Sequence, residues 1–235
     1  MNRHTWGTAP DFVGPRHELR EQLLLDLLLS AGPGSDVLNG GAGQGTLSRK
    51  LTELGFEVTS TDVSPDAVAL LREGAPGRVL EADLTALPFE DQSFDAVVLG
   101  EVLEHIEDDR SALAEVARVL RPQGALALSV PANPKLFGRS DFWAGHVRRY
   151  TKPELLAACT AAGFTVHRCL GWGFPASRLY HRHVYERYLH RRGPAGPKRR
   201  HGPFIAVLGA LLQVDRLFVG VERGALGYLA LAARP

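Results

Sequence analysis

Val37-Leu38-Asn39-Gly40-Gly41-Ala42-Gly43-Gln44-Gly45 is the stretch whose reading decides the fold. Val37–Asn39 reads as a short buried strand, the glycines as a tight turn, and about Gly45 to Leu54 as a helix. Glycines at 41, 43 and 45 allow positive φ and let backbone come close to a ligand. Strand, glycine-rich loop and helix in that order form a nucleotide-binding signal. The spacing Gly41-x-Gly43-x-Gly45 does not match the Gly-x-Gly-x-x-Gly of dinucleotide folds, which argues against NAD.

Working outward, a leucine stripe at 19, 23, 27 and 28 marks a helix over 16–31, stopped by Gly32-Pro33-Gly34. Phe56–Thr61 is expected as a second strand. Ser64-Pro65-Asp66 starts a helix, with Ser64 as cap and Pro65 at the first helical position. Arg78–Leu80 and Phe94–Leu99 read as strands three and four, the latter apolar enough to be central. A helix over 109–120 is closed by Pro122 and Gly124 before strand five, Ala125–Val130. Thr151-Lys152-Pro153-Glu154 is a capping box for a helix ending at Gly163. Phe164–Leu170 and Gly227–Ala233 complete seven strands.

Alternating strands and helices predict an α/β fold. The expectation is a Rossmann-like seven-stranded, mostly parallel sheet with helices on both faces and an antiparallel last strand. Residues 1–235 read as one domain. Residues 1–31 would form an N-terminal helical lid, with Trp6–His17 closing over a bound molecule. Residues 172–224 break the rhythm and read as a helical insertion between strands six and seven, a cap over the substrate. Its first helix has an apolar face, Ala176, Tyr180, Val184 and Tyr188, opposite a basic one.

The chain has 235 residues, 45% apolar and 23% charged, with a formal net charge of +1. No global field points to nucleic acid or to an anionic surface. The basic run at 198–201 lacks interleaved aromatics and reads as a solvated face. Cys159 and Cys169 form no disulfide framework, and no secretory signal is visible at Met1–Pro10, so a cytoplasmic setting is expected. The most apolar stretch, Phe204–Val214, is shorter than the ~18–20 residues that span a bilayer. Peripheral membrane contact through the insertion stays open, and the oligomeric state is not legible.

Further features fall at the expected strand ends, where ligands bind in such sheets. Asp62 ends strand two, where a carboxylate can accept both hydroxyls of a ribose. Asp83-Leu84 follows strand three, where a carboxylate can accept from an adenine amino group and the next N–H can donate to the ring. Glu101-Val102-Leu103-Glu104-His105 follows strand four. With Phe94-Asp95 and the Leu120-Arg121-Pro122-Gln123-Gly124 turn, these pieces resemble a class I S-adenosylmethionine-dependent methyltransferase of the small-molecule kind, over residues 37–170.

That resemblance implies S-adenosylmethionine as cofactor and S-adenosylhomocysteine as product. Its implied binding set is Asn39, Gly41, Ala42, Gly43, Gly45, Asp62, Val63, Asp83, Leu84 and Glu101. Where the family usually has an acidic residue near the cofactor's amino group, this chain has Asn39. Its carbonyl accepts a hydrogen bond but supplies no charge assistance, so weaker cofactor binding is expected. Gly145-His146-Val147-Arg148-Arg149-Tyr150-Thr151 resembles a Gly-His-x-Arg-Arg-Tyr-Thr segment of a subset of these enzymes.

The implied reaction moves a methyl group to an oxygen or nitrogen of a small, partly apolar molecule. Two alternatives remain at this point: the fold recruited to cyclisation or isomerisation, and transfer to a lipid-linked acceptor at a membrane surface. His105 and His146 are candidate bases for the acceptor's proton, with Tyr150 and Arg148 as candidate orienting groups. Bland readings stand beside these: His105 bracing its loop, His146 ordering its own, Arg148 and Arg149 in structural ion pairs. No metal site is expected, since His181 and His183 point apart on a helix.

Overall fold

The computed structural model describes residues 14–187 and 203–235. The sheet is built of β1 (Asp36–Gly40), β2 (Glu57–Asp62), β3 (Arg78–Glu81), β4 (Phe94–Gly100), β5 (Leu120–Pro131), β6 (Thr165–Trp172) and β7 (Gly227–Ala233). Its order is β3-β2-β1-β4-β5-β7-β6. The pairs among β1 to β5 are parallel, and β7 runs antiparallel to both β5 and β6. β1 and β4 are the central neighbours, and the chain reverses its winding between them. Such a switch point leaves a crevice at the strands' carboxyl ends.

The helices are α1 (Pro15–Leu29), α2 (Thr46–Glu53), α3 (Pro65–Gly74), α4 (Asp109–Val119), α5 (Arg139–Ala144), α6 (Lys152–Ala161), α7 (Ala176–Tyr180) and α8 (Pro203–Leu212). Alternation along the strands splits the core. Leu38, Val97, Leu99, Leu126 and Leu128 pack with Leu113 and Val116 of α4 and Leu155 of α6. Val37, Val58, Ala96, Val98 and Ala127 pack on the other face with Leu19, Leu24 and Leu28 of α1 and Leu51 of α2. α1 is therefore a core helix; the lid reading of the residues before Gly14 lies outside the described residues.

β5 begins earlier than the sequence suggests. Leu120 pairs with Phe94 and Ala125 with Ala96, so residues 121–124 form an excursion within the strand rather than a turn before it. Arg121 uses it to reach Asp95 (2.6 Å) and Asp36 (2.9 Å), while the other Asp95 oxygen accepts from the Asp36 N–H (3.0 Å). The Phe94-Asp95 and Leu120–Gly124 features thus lock the strands' amino ends, opposite the crevice. Burial works against ionisation of Asp95, but the bonds from Arg121 and Asp36 hold its pKa below the ordinary value. A depressed folded-state pKa adds stability above the unfolded value that is lost as pH falls through the folded one.

Capping signals hold where the sequence places them. Ser64 Oγ accepts from Ala67 N at α3, and Thr151 with Glu154 closes a capping box at α6. The insertion continues α7 as a π-helical turn, His181–Tyr185, and α8 as a 3₁₀ segment, Gln213–Phe218. No side chain of its own caps α7. Instead the buried Asp215 carboxylate accepts the N–H groups of Ala176 (2.7 Å) and Ser177 (2.8 Å). An acid at a helix N-terminus satisfies orphan donors and complements the dipole. Asp215→Ala is expected to cost about 2 kcal/mol, read as a lower midpoint in denaturant unfolding.

Candidate active site

The glycine loop leaves β1 and turns into α2. Gly43 has φ +53°, and a Cβ built on it meets nothing within 4 Å, so its backbone faces open space. Gly45, at φ +74°, is held differently. A Cβ there would lie 2.8 Å from Leu71 and 2.9 Å from Ala75, so α3 packs against bare backbone. A Cβ on Gly41 would lie 2.7 Å from both methyl groups of Val102, which puts the loop after β4 directly on the glycine loop.

Asp62, at the end of β2, ties this corner together. Its two oxygens accept from Gly43 N and Ser64 N, each at 2.9 Å. Each oxygen keeps a lone pair for a further donor. Val63 beside it is exposed. Asp83 accepts from both the N–H and the hydroxyl of Thr85 through one oxygen, each at 2.8 Å, and follows β3 on the same edge. The adjacent Leu84 is buried against the core.

Asn39 is 1% exposed, and its Nδ2 donates to Ser48 Oγ (2.8 Å), itself 2.8 Å from Ser60 Oγ. The amide nitrogen is committed to a relay joining β1, α2 and β2. Such a relay accepts a carboxylate at 39 by reversing its hydroxyls, because Ser60 can donate to Ser48 and Ser48 onward.

α1 reaches this region through its first turns. Glu21, buried, bonds His17, Thr46 and Lys50, which pins α1 to the helix that follows the glycine loop. Arg20 lies 3.7 Å from Glu101, and its Nε is buried without a partner among the described residues. Glu101 itself sits at φ +62°, and its Oε1 is buried and without a hydrogen-bond partner among the described residues.

Beyond Glu101 the chain makes a 3₁₀ turn, Leu103–His105. Glu104 is fully buried, and among the described residues neither carboxylate oxygen has a hydrogen-bond partner. Burial, then the neighbouring Glu101, pushes its pKa well above the carboxylate range. The His105 and His146 rings meet edge to face, 4.7 Å between centroids. Burial and then His146 lower the His105 pKa to about 4, so its ring is neutral at neutral pH. His146 Nε2 faces Glu104 at 3.8 Å, while its Nδ1 lies 2.9 Å from Asp141.

Asp141 of α5 is the organising residue that the sequence did not single out. It is 1% exposed, and it bonds His146, Arg149 Nε (2.7 Å) and Gly138 N (2.9 Å). Burial would raise its pKa, but the bonds from His146 and Arg149 prevail and lower it to about 2. The only trace in the sequence is an acid three residues into a short helix that starts after glycine, a common pattern.

The Gly145–Thr151 segment is a brace. Tyr150 forms a parallel bridge with Ala132, its N–H donates to Pro131 O, and Val147 N donates to Glu104 O. Tyr150 is 3% exposed, with its hydroxyl donating to Asp109 (2.7 Å), and Arg148 pairs with the same Asp109 at 3.0 Å. Arg149 is buried and also donates to Ala132 O. The fold thus brings the His105 and His146 rings together, while Tyr150 and Arg148 are engaged by Asp109. The insertion borders the same region: Arg16 of α1 bonds His181 (2.7 Å), which feels the charges of Arg149 and Asp141.

A switch-point crevice with an open glycine backbone, acids ending β2 and β3 and an acid–histidine cluster after β4 defines a class: α/β enzymes that hold an adenosyl cofactor beside an acceptor pocket. Residues 38–128 match the family model described as a methyltransferase domain. The chain is 36% identical over 199 residues to the demethylmenaquinone methyltransferase of Thermus thermophilus, covering 66% of this chain and 90% of that one. It is 31% identical over 173 residues to the ubiquinone biosynthesis O-methyltransferase of Xanthomonas campestris, covering 65% and 72%. A demethylmenaquinone methyltransferase from Renibacterium salmoninarum matches at 36% over 117 residues, and the chain spans about half (48%) of that protein's length.

The chain belongs to the S-adenosylmethionine-dependent methyltransferases. Solved structures repeat the fold. The 1,6-didemethyltoxoflavin-N1-methyltransferase of Burkholderia thailandensis, with S-adenosylhomocysteine bound, has a TM-score of 0.57 at 21% identity, covering 93% of this chain and 79% of that one. The cyclase SpnF has a TM-score of 0.66 at 23% identity, covering 100% and 87%. Likeness at that identity extends to the fold alone. Among the described residues no helix is long and apolar enough to cross a membrane.

Proposed function

We propose that this enzyme methylates an oxygen of a small, partly apolar molecule, and that the observation carrying this is the adjoining of two half-sites at β4. One is the open backbone of Gly43 with Asp62; the other is the Glu101–His105 turn with His146. S-adenosylmethionine supplies the electrophilic methyl group when bound. Gly41, Ala42, Gly43 and Gly45 would line its methionine portion, Asp62 with Val63 the ribose, and Asp83 with Leu84 the adenine. The unpartnered Glu101 oxygen and Arg20 Nε lie on the methionine side, where an ammonium and a carboxylate are the complementary groups.

For a hydroxyl acceptor the balance is simple. The acceptor oxygen gains the methyl group, the sulfur keeps the bonding pair, and the hydroxyl proton leaves. The protein's task is alignment and proton removal. His105 and His146 stand at the acceptor end and are assigned to that proton. Tyr150, Arg148 and Arg149 are positioning residues: they hold the histidine loop and the turn after β4 in one rigid unit. The Gly-His-x-Arg-Arg-Tyr-Thr segment is read as this brace.

The acceptor is assigned from the surroundings. Phe137 and Phe142, on the segment that leads into the histidine loop, are exposed apolar residues. Such a surface suits a hydroxylated ring carrying an apolar chain. The O-methyltransferase relative of ubiquinone biosynthesis supports the same acceptor class. Incubation with methyl-labelled cofactor and a panel of alkylated phenols and catechols tests the reading. Label in the product ether supports it; cofactor binding without transfer to any hydroxyl acceptor sinks it.

Asn39 is assigned a tolerated place in the cofactor's shell. Asn39→Asp is expected to tighten S-adenosylhomocysteine binding about three- to tenfold, through a charge-assisted contact to the ammonium. Calorimetry reads this, and weaker binding would mean the relay cannot carry the charge.

A further inference from the structure

We infer that Glu104, His105 and His146 form a binding site for one divalent first-row metal ion of the zinc type. One ligand atom from each of these residues lies within 4.8 Å of the others. Ligands at about 2.0–2.2 Å from one tetrahedral ion are about 3.3–3.6 Å apart, so closure draws the widest pair together by about 1 Å.

Two observations make this a built site. First, Glu104 is fully buried with both oxygens unpartnered, and it faces His146 Nε2 at 3.8 Å. In its ionised form such a group needs a cation beside it. Second, His146 is oriented for the task. Its Nδ1 is engaged by Asp141 at 2.9 Å, which turns the Nε2 lone pair toward Glu104. A carboxylate behind a histidine is the usual support of a metal ligand. Asp141 is fixed in turn by Arg149 and Gly138 N.

Two imidazoles and a carboxylate favour zinc, iron, cobalt or nickel over magnesium and calcium, which prefer all-oxygen shells. Three protein ligands leave a position open, as in sites that act on a substrate. An acceptor hydroxyl there would lose its proton more readily, since a bound cation lowers the pKa of a coordinated oxygen. This deepens the proposed function at the acceptor end and rests on it for the acceptor alone.

Cobalt(II) is the probe, because its visible d–d absorption reports nitrogen and oxygen ligands directly. Metal-free protein is titrated with CoCl2 at saturating S-adenosylhomocysteine. One equivalent is expected to produce the bands, and ZnCl2 to displace them. Glu104→Gln and His146→Ala should each weaken cobalt binding at least about 100-fold, and Asp141→Asn about 10- to 100-fold. S-adenosylhomocysteine affinity, measured on the same variants, reports separately on folding and on the cofactor site. Cobalt bands absent from the wild type, or unchanged in both ligand variants, overturn the inference, the second by placing the ion elsewhere.

Discussion

Asp62→Ala is expected to weaken S-adenosylhomocysteine binding on the order of 100-fold, measured by calorimetry on protein that remains folded. The carboxylate has two tasks. It fixes the glycine loop by accepting from Gly43 N, and it fixes the start of α3 by accepting from Ser64 N. In the proposed site it would also offer free lone pairs to the cofactor's ribose. Hydrogen bonds to a charged group contribute about 1.5–3 kcal/mol each, and 1.4 kcal/mol is about tenfold in affinity. Loss of one ribose contact together with the ordered loop accounts for the magnitude. Asp62→Asn should fall between, since its carbonyl can serve one of the two N–H groups. A loss of less than about threefold in Asp62→Ala would remove this residue from the cofactor site.

Asp141→Ala should have the largest effect on stability. Arg149 is buried, and Asp141 is its carboxylate partner at 2.7 Å. Removing one member of a buried pair leaves the other charge uncompensated, at about 3–5 kcal/mol. For a chain of this size that corresponds to a fall of roughly 10 °C in the unfolding midpoint. His146 and the Gly138 N–H lose their partner in the same step. Turnover should therefore fall further than the loss of folded protein explains. Asp141→Asn should recover part of the stability, because it keeps the shape and the Gly138 acceptor. A midpoint within 2 °C of the wild type would show that the pair is not what holds the loop.

The sheet was legible because its signals are local. A glycine run after an apolar strand, a Ser-Pro cap, a Thr-x-x-Glu box and a Pro-Gly break each carry their own geometry. β5 ran longer than its pattern, because the Arg121 excursion is fixed by Asp36 and Asp95, far away in sequence. The same distinction holds at the site. Asp62, Asp83 and the glycines follow strand ends, and strand ends can be found from periodicity.

Asp141, Arg20 and the Ser48–Ser60 relay were not found, since each acts through partners on other elements. The roles of Tyr150 and Arg148 also depended on the third dimension. Their spacing suggested groups facing an acceptor, whereas Asp109 engages both. His105 and His146 are 41 positions apart in the chain, and the bridge of Tyr150 to Ala132, with the Val147 N–H bond to Glu104 O, brings their rings together.

The central claim is that the crevice at Gly43 and Asp62 holds the adenosyl cofactor. Its most direct test follows backbone amide resonances of labelled protein during titration with S-adenosylhomocysteine. The account predicts a saturable one-to-one change centred on the amides of Gly43, Ser64 and Leu84, with α4 and α6 undisturbed. Absence of a saturable change, or a change centred away from the glycine loop, would contradict it.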